Sequence, residues 1–144
     1  MPRWITEACV EYSSRFPRQI TPELTEIPLF KRTKTYNPRT ARDAEAERII
    51  KALRDQERAI ALDSRGLSLS TEEFAQRFAG WIEDGRDVAF LIGGPDGLSK
   101  SCLERAELKL SLSALTLPHG LARIVLLEQL YRAWSILNNH PYHR

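Results

Sequence analysis

The sequence predicts an α/β fold, a mostly parallel sheet covered by helices, in a single domain of residues 1–144. Three observations predict it. Short apolar runs at residues 59–62 and 88–92, and a further possible strand at 109–112, alternate with stretches of helical periodicity, the order of strand–helix–strand units. The run 88–92 is apolar throughout, as expected of a strand buried on both faces. A chain of 144 residues with 42% hydrophobic and 28% charged residues suits one compact core.

Residues 2–14 read as a helix, since Pro is tolerated at its start and Ile5, Ala8, Cys9 and Tyr12 fall at helical spacing. Residues 23–27 alternate polar and apolar between Pro22 and Pro28, the pattern of a short strand. The basic segment after Pro28 contains Asn37-Pro38, a turn signal, and is expected to be a mobile loop. Residues 41–54 read as a helix burying Ile49, Ile50 and Leu53. The strand 59–62 ends at Asp63, and Ser64-Arg65-Gly66 turns the chain. Ser70 and Glu73 have the spacing of a capping box, and Phe74, Phe78, Trp81 and Ile82 form an apolar stripe up to Asp84-Gly85. After the strand 88–92 come Gly93-Gly94-Pro95-Asp96-Gly97, a helix over 98–108, a strand over 109–112, a loop over 113–120 and a long helix over 121–138.

Composition excludes several classes. No apolar run approaches a membrane span, and no signal-peptide pattern is present. Cys9 and Cys102 are too few for a disulfide framework and belong to no metal-ligand cluster. They are read as reduced thiols packed like small hydrophobes, no metal site is expected, and the expected compartment is the cytoplasm. Lys plus Arg number 21 against 19 Asp plus Glu, so net charge is uninformative. The distribution says more: Lys31, Arg32, Lys34, Arg39 and Arg42 are interrupted by no acid, a cluster that can attract phosphates or simply be a solvated loop.

In parallel sheets ligands bind beyond the carboxyl ends of the strands, which directs attention to the loops 93–97 and 113–120. The glycines of the first admit a ligand close to the backbone, yet Gly-Gly-Pro-x-Gly is also a plain tight turn. It matches neither the dinucleotide fingerprint nor the P-loop. The second, from Leu112 to Gly120, is apolar where loops are normally polar, so protein or a ligand such as an adenine ring covers it. The helix 121–138 is apolar over more of its circumference than one buried stripe needs. Either a symmetric dimer or the centre of a monomer accounts for that. The tail from Asn138 to Arg144 packs two His, a Tyr and an Arg into seven residues. It is either a frayed end or a set suited to RNA chemistry.

The runs LIGGPDGLS at 91–99, LSLSALTLPHGLAR at 110–123 and EQLYRAWSILNNHPYHR at the end resemble one small SPOUT methyltransferase family. Its members methylate N3 of a pseudouridine in bacterial large-subunit (23S) ribosomal RNA. Weaker similarity reaches the start, through Pro2, Trp4, Glu11-Tyr12, Arg15-Phe16-Pro17 and Glu26-Ile27-Pro28. The resemblance implies a SPOUT-type α/β knot with a C-terminal trefoil knot, a homodimer, S-adenosylmethionine as cofactor, and ribosomal RNA, within the ribosome, as partner. It implies cofactor contacts from Leu62, Gly93, Leu112, Ser113, Ala114, Leu115, Thr116 and Leu117, with Gly94, Pro95 and Gly97 shaping the pocket. His143, His140, Tyr142, Arg144 and Arg132 would be the catalytic set, with His143 the first choice as base. Two alternatives are a SPOUT enzyme acting on another RNA position and a non-catalytic rRNA-binding assembly factor. Members of that family usually open with a β-strand that precedes the helix at Pro2; this sequence begins at the helix, which would leave a sheet edge unpaired. Gly93→Val is expected to weaken cofactor binding with little effect on folding, and loss of the tail to spare stability.

Overall fold

The computed structural model describes residues Met1–Arg144, which divide into two compact units. The first comprises Met1–Leu24, Leu69–Gly85 and Gly120–Arg144; the second comprises Thr25–Ser68 and Arg86–His119.

The first unit is helical. Helix α1 (Arg3–Ser13) starts after Pro2 and buries Ile5 and Cys9. Helix α3 (Thr71–Asp84) has the expected capping box: Glu73 N–H donates to Ser70 Oγ, and Ser70 N–H donates to the Glu73 carboxylate. Satisfying two free donors this way is worth about 1 kcal/mol. Gly85 ends the helix in the left-handed conformation (φ 81°) that a Cβ would disfavour. Phe74, Phe78 and Trp81 are buried as expected, whereas Ile82 is exposed. Helix α5 (His119–Leu137) buries Leu126, Leu130, Tyr131, Ala133 and Ser135. Phe16 meets the Tyr131 ring edge-on at 5.6 Å.

The second unit holds the sheet, three parallel strands in the order β2-β1-β3. Strand β1 (Arg58–Ser68) is central; β2 (Val88–Leu91) and β3 (Leu108–Ser111) are its edges. The first part of β1 pairs through Leu62 with Leu110, and its register then shifts so that Leu67 faces the same residue. The turn expected at Ser64-Arg65-Gly66 is instead a bulge within β1, which runs on to Ser68. Asp63 braces it by accepting from the Arg65 N–H and guanidinium. The core is Ala46, Ile49, Ala59, Leu91 and Cys102, with Ile27, Leu53, Leu98 and Ala106 packed on it. Cys9 and Cys102 are free thiols whose burial pushes their pKa up, so they act as packing groups.

The structure corrects several expectations. Residues 23–27 form no strand, because their surroundings bind α2 instead of the sheet. Arg48 donates to the Pro28 carbonyl and the Phe30 N–H donates to Glu45. Asn37-Pro38 starts helix α2 (Pro38–Ala52) instead of a loop: Asn37 caps the Arg39 N–H and Pro38 occupies the first turn, where its missing donor costs nothing. That helix buries Ala41, Glu45, Ala46 and Ile49, while Ile50 is exposed. Val88, Ala89 and Phe90 are only half-buried, because β2 is an edge strand. The helix read over 98–108 is the shorter α4 (Lys100–Arg105), which starts at the Ser99 cap. No helix is long and apolar enough to cross a membrane.

Candidate active site

In the second unit, parallel pairing brings the chain ends leaving β1, β2 and β3 to one side of the sheet. Leu62, the last residue before the register shift, lies there half-buried and paired with Leu110. Beyond β2, Gly94-Pro95-Asp96-Gly97 closes a turn in which Gly97 N–H donates to the Gly94 carbonyl at 2.9 Å. Gly97 is left-handed, with φ 81°. Gly93 has no room for a side chain, since a Cβ would lie 2.5 Å from the Gly97 carbonyl carbon and 2.8 Å from Leu98 N. The glycine there serves the loop's own folding. The expectation that Gly93→Val would spare the fold is therefore corrected.

Beyond β3, the second loop braces itself. Ser111 Oγ donates to the Ser113 carbonyl and Leu115 N–H donates to Ser113 Oγ. Leu112, Ser113 and Leu117 are half-buried, whereas Ala114, Leu115 and Thr116 are exposed, Leu115 to 75%. An apolar residue this exposed, on a loop whose backbone is already fixed, offers a face to a flat apolar ligand such as adenine. His119 ties the two loops together, its Nδ1 lying 2.6 Å from the Gly93 carbonyl. A carbonyl only accepts, so Nδ1 carries the proton. Sequence alone gives His119 no role. Its one signal is that of a lone titratable group in an apolar loop, directly after Pro118.

In the first unit, the C-terminal tail is docked. His140 N–H donates to the Ser135 carbonyl at 2.8 Å, and Asn139 turns the chain with φ 54°. The His140 ring lies 5.7 Å from Trp134, while its Nδ1 accepts from the Tyr142 N–H. Tyr142 meets Tyr131 edge-on at 4.8 Å, lies under the Arg132 guanidinium at 4.7 Å, and donates its hydroxyl to Glu128 at 3.0 Å. Arg132 also grips Glu128 through Nε and NH2. Burial alone would raise the Glu128 pKa, but the hydrogen bonds from Arg132 and Tyr142 outweigh it and hold the carboxyl below its usual range. Tyr142 is pushed up by burial and by Glu128, so it stays a donor.

His143 sits between Arg132 NH1, 3.1 Å from its Nδ1, and Glu72 Oε1, 3.2 Å from its Nε2. A guanidinium only donates, so Nδ1 holds the lone pair and Nε2 the proton. The nitrogen that holds the lone pair is the one Arg132 covers. His143, Tyr142, His140 and Arg132 are thus gathered in one cluster, and Arg144 is exposed beside His143 in sequence. The expectation that losing the tail would spare stability is corrected by this packing. Glu128 and Glu72 are the partners that sequence reasoning missed; Glu128, four residues before Arg132, was within reach of the helix spacing rule.

The family model described as "Predicted SPOUT methyltransferase" matches residues 1–143. The chain belongs to the SPOUT methyltransferase family. Among its relatives, the "Ribosomal RNA large subunit methyltransferase H" of Alkalilimnicola ehrlichii is 54% identical over 144 residues, covering 100% of this chain and 92% of that protein. Proteins of the same name from Saccharophagus degradans (52% identical, 100% of this chain and 93% of that protein) and Nitrosococcus oceani (51%, 100% and 92%) are similarly close. Membership makes the chain a methyltransferase and agrees with the α/β fold expected from the strand–helix alternation.

Proposed function

We propose that this chain transfers a methyl group from S-adenosylmethionine to N3 of a pseudouridine in 23S ribosomal RNA, acting as a homodimer on rRNA in the ribosome. The docked tail is the observation that carries the reading. It holds His, Tyr and Arg in fixed relation where a mere chain end would fray. The names of the full-length relatives supply the RNA class.

The cofactor, when bound, supplies a methyl group already activated by its sulfonium. Leu62, Gly93 and the loop from Leu112 to Leu117 would hold it, with Gly94, Pro95 and Gly97 shaping the edge. Tyr142 offers a ring face for the target base, and Arg132 and Arg144 offer cations for phosphate. His143 takes the imide proton at Nδ1, with His140 the second choice. That role requires Arg132 NH1 to leave the ring, while Nε and NH2 keep their hold on Glu128. Positioning supplies most of the acceleration, and the base adds about a hundredfold or more.

The dimer reading rests on α5. Leu121 and Leu137 are 37% and 40% exposed, and Ile124, Val125, Leu127 and Ile136 are only half-buried. So much uncovered apolar perimeter on one helix suits a second copy of the chain.

Mass spectrometry of rRNA nucleosides after incubation with labelled S-adenosylmethionine tests the function. Methylated pseudouridine is the expected product. Label on a ribose would move the target to another position, and absence of label would leave a non-catalytic rRNA-binding factor.

A further inference from the structure

The turn Gly94–Gly97 is held from outside by a set of charges contributed by the basic segment and α2. Arg32, whose side chain is 15% exposed, donates from Nε to Asp96 Oδ2 at 3.0 Å. Its NH1 and NH2 donate to the two oxygens of Glu45 at 2.7 and 3.0 Å, and NH1 also donates to the Phe30 carbonyl. The Tyr36 hydroxyl donates to the other oxygen of Asp96 at 3.2 Å. Glu45 is buried to 4% exposure and accepts from the Phe30 N–H. Its carboxylate presses on the turn itself: a Cβ at Gly94 would lie 3.0 Å from Glu45 Oε1. In sequence Arg32 is one of five cations that can attract phosphate or simply face solvent. In the structure it does neither, because its guanidinium is committed to two carboxylates.

A buried ion pair is a weak source of stability, since desolvation offsets most of the attraction. It is a strong source of orientation, because the planar guanidinium fork accepts carboxylates in few directions. We propose that Arg32, Glu45 and Asp96 are positioning residues that fix the Gly94–Gly97 turn in its ligand-accepting form before the cofactor arrives. The inference rests on the reading of that turn as part of the cofactor site. A glycine-rich turn is conformationally loose, and ordering it during binding would subtract from affinity. The clamp removes that subtraction in advance. It acts on the loop and touches no reacting atom, so it governs cofactor affinity and leaves the chemical step alone.

The test compares Arg32→Lys, Asp96→Asn and Tyr36→Phe with Arg58→Gln as the control. Arg58 pairs with Glu107 at 2.6 and 2.8 Å in the same unit, away from the turn. Calorimetry with S-adenosylmethionine, steady-state kinetics and amide exchange at Gly97 are measured on each folded variant. Arg32→Lys and Asp96→Asn are expected to raise Kd and the cofactor KM by about tenfold or more, the scale of one lost charge-assisted hydrogen bond. The kcat at saturating cofactor should stay within about twofold, and exchange at Gly97 should accelerate. Tyr36→Phe should show the same pattern more weakly, and it carries the test if the charged variants fail to fold. Arg58→Gln should lower the melting temperature and leave Kd unchanged. Wild-type affinity and exchange in Asp96→Asn and Tyr36→Phe would overturn the proposal, as would an equal loss of affinity in Arg58→Gln. If the wild-type protein binds no S-adenosylmethionine, the cofactor reading itself fails and the proposal falls with it.

Discussion

The glycine turn after β2 is anchored by Arg32 and Tyr36, which precede Asp96 by 64 and 60 residues. The C-terminal tail is anchored by Glu128 and Arg132, which precede Tyr142 and His143 by 14 and 11. Both anchors pair an arginine with a carboxylate and add a tyrosine hydroxyl. The glycine turn, however, is also packed against its own backbone at Gly93, while beyond the His140 N–H bond to the Ser135 carbonyl the tail is held through side chains. A segment held through its backbone tolerates almost no substitution. One held through side chains can be released and re-formed, as the role proposed for the tail, accepting an RNA base and a proton, requires.

The largest effect should come from breaking the backbone anchor. Gly93→Val drives a side chain into the Gly97 carbonyl and Leu98 N, and thermal melting should show a loss of about 3 kcal/mol or more. Gly80, on the exposed side of α3, meets nothing within 4 Å, so Gly80→Ala should gain about 0.5–1 kcal/mol. If Gly93→Val melted like the wild type, the turn would be more plastic than the distances allow.

Next in size is release of the tail. Removing residues 140–144 should slow methyl transfer by about a hundredfold or more, the scale of a lost acid–base group. It should also lower the melting temperature by a few degrees, because the Tyr142 ring leaves Tyr131 and the Arg132 guanidinium. A truncated protein of full activity would reduce the tail to packing.

The two anchors also differ in how far the sequence reveals them. The tail is legible because its density of His, Tyr and Arg is local, and Glu128 lies at helical spacing from Arg132. The clamp is not, because no periodicity links position 32 to position 96. Its arginine is hidden among four other cations, and its glutamate sits on a helix whose buried side is expected to be aliphatic. The capping box at Ser70 and the strand–helix alternation are legible, since both depend on near neighbours. The strand at 88–92 is legible too, but its burial is not, because a run of apolar residues does not say whether a strand is central or at an edge. Asn37-Pro38 has the composition of a turn although the same dipeptide caps a helix, and only the helical run from Arg39 onward distinguishes the two.

A smaller effect bears on the outer face of α5. Leu137→Asp alters a residue already 40% exposed in the single chain, so the isolated subunit should remain folded. Light scattering should then report a monomer for the variant and the proposed dimer for the unaltered protein. Trp134→Asp is the less clean variant, since Trp134 also stacks on Tyr131 at 5.6 Å and its loss would disturb the tail. A Leu137→Asp protein that stays dimeric would move the interface away from this end of the helix.

The smallest effect distinguishes the tail anchor by pH. The Glu128 carboxyl is held below its usual range: burial acts upward, and the hydrogen bonds from Arg132 and Tyr142 overcome it. A carboxyl depressed in the folded state contributes stability that is fully present above its unfolded pKa, about 4.3, and is lost as pH falls through the lower folded value. Glu128→Gln removes this contribution at every pH. At neutral pH the variant should therefore melt below the wild type by the equivalent of about 1–2 kcal/mol, the worth of hydrogen bonds to a half-buried charge. The gap should narrow as pH drops below about 4, since protonation then removes the same carboxylate from the wild type. Melting curves collected between neutral and acid pH measure it directly. A gap that stays constant through the acid range would mean that Glu128 stabilises the tail by packing rather than by its charge.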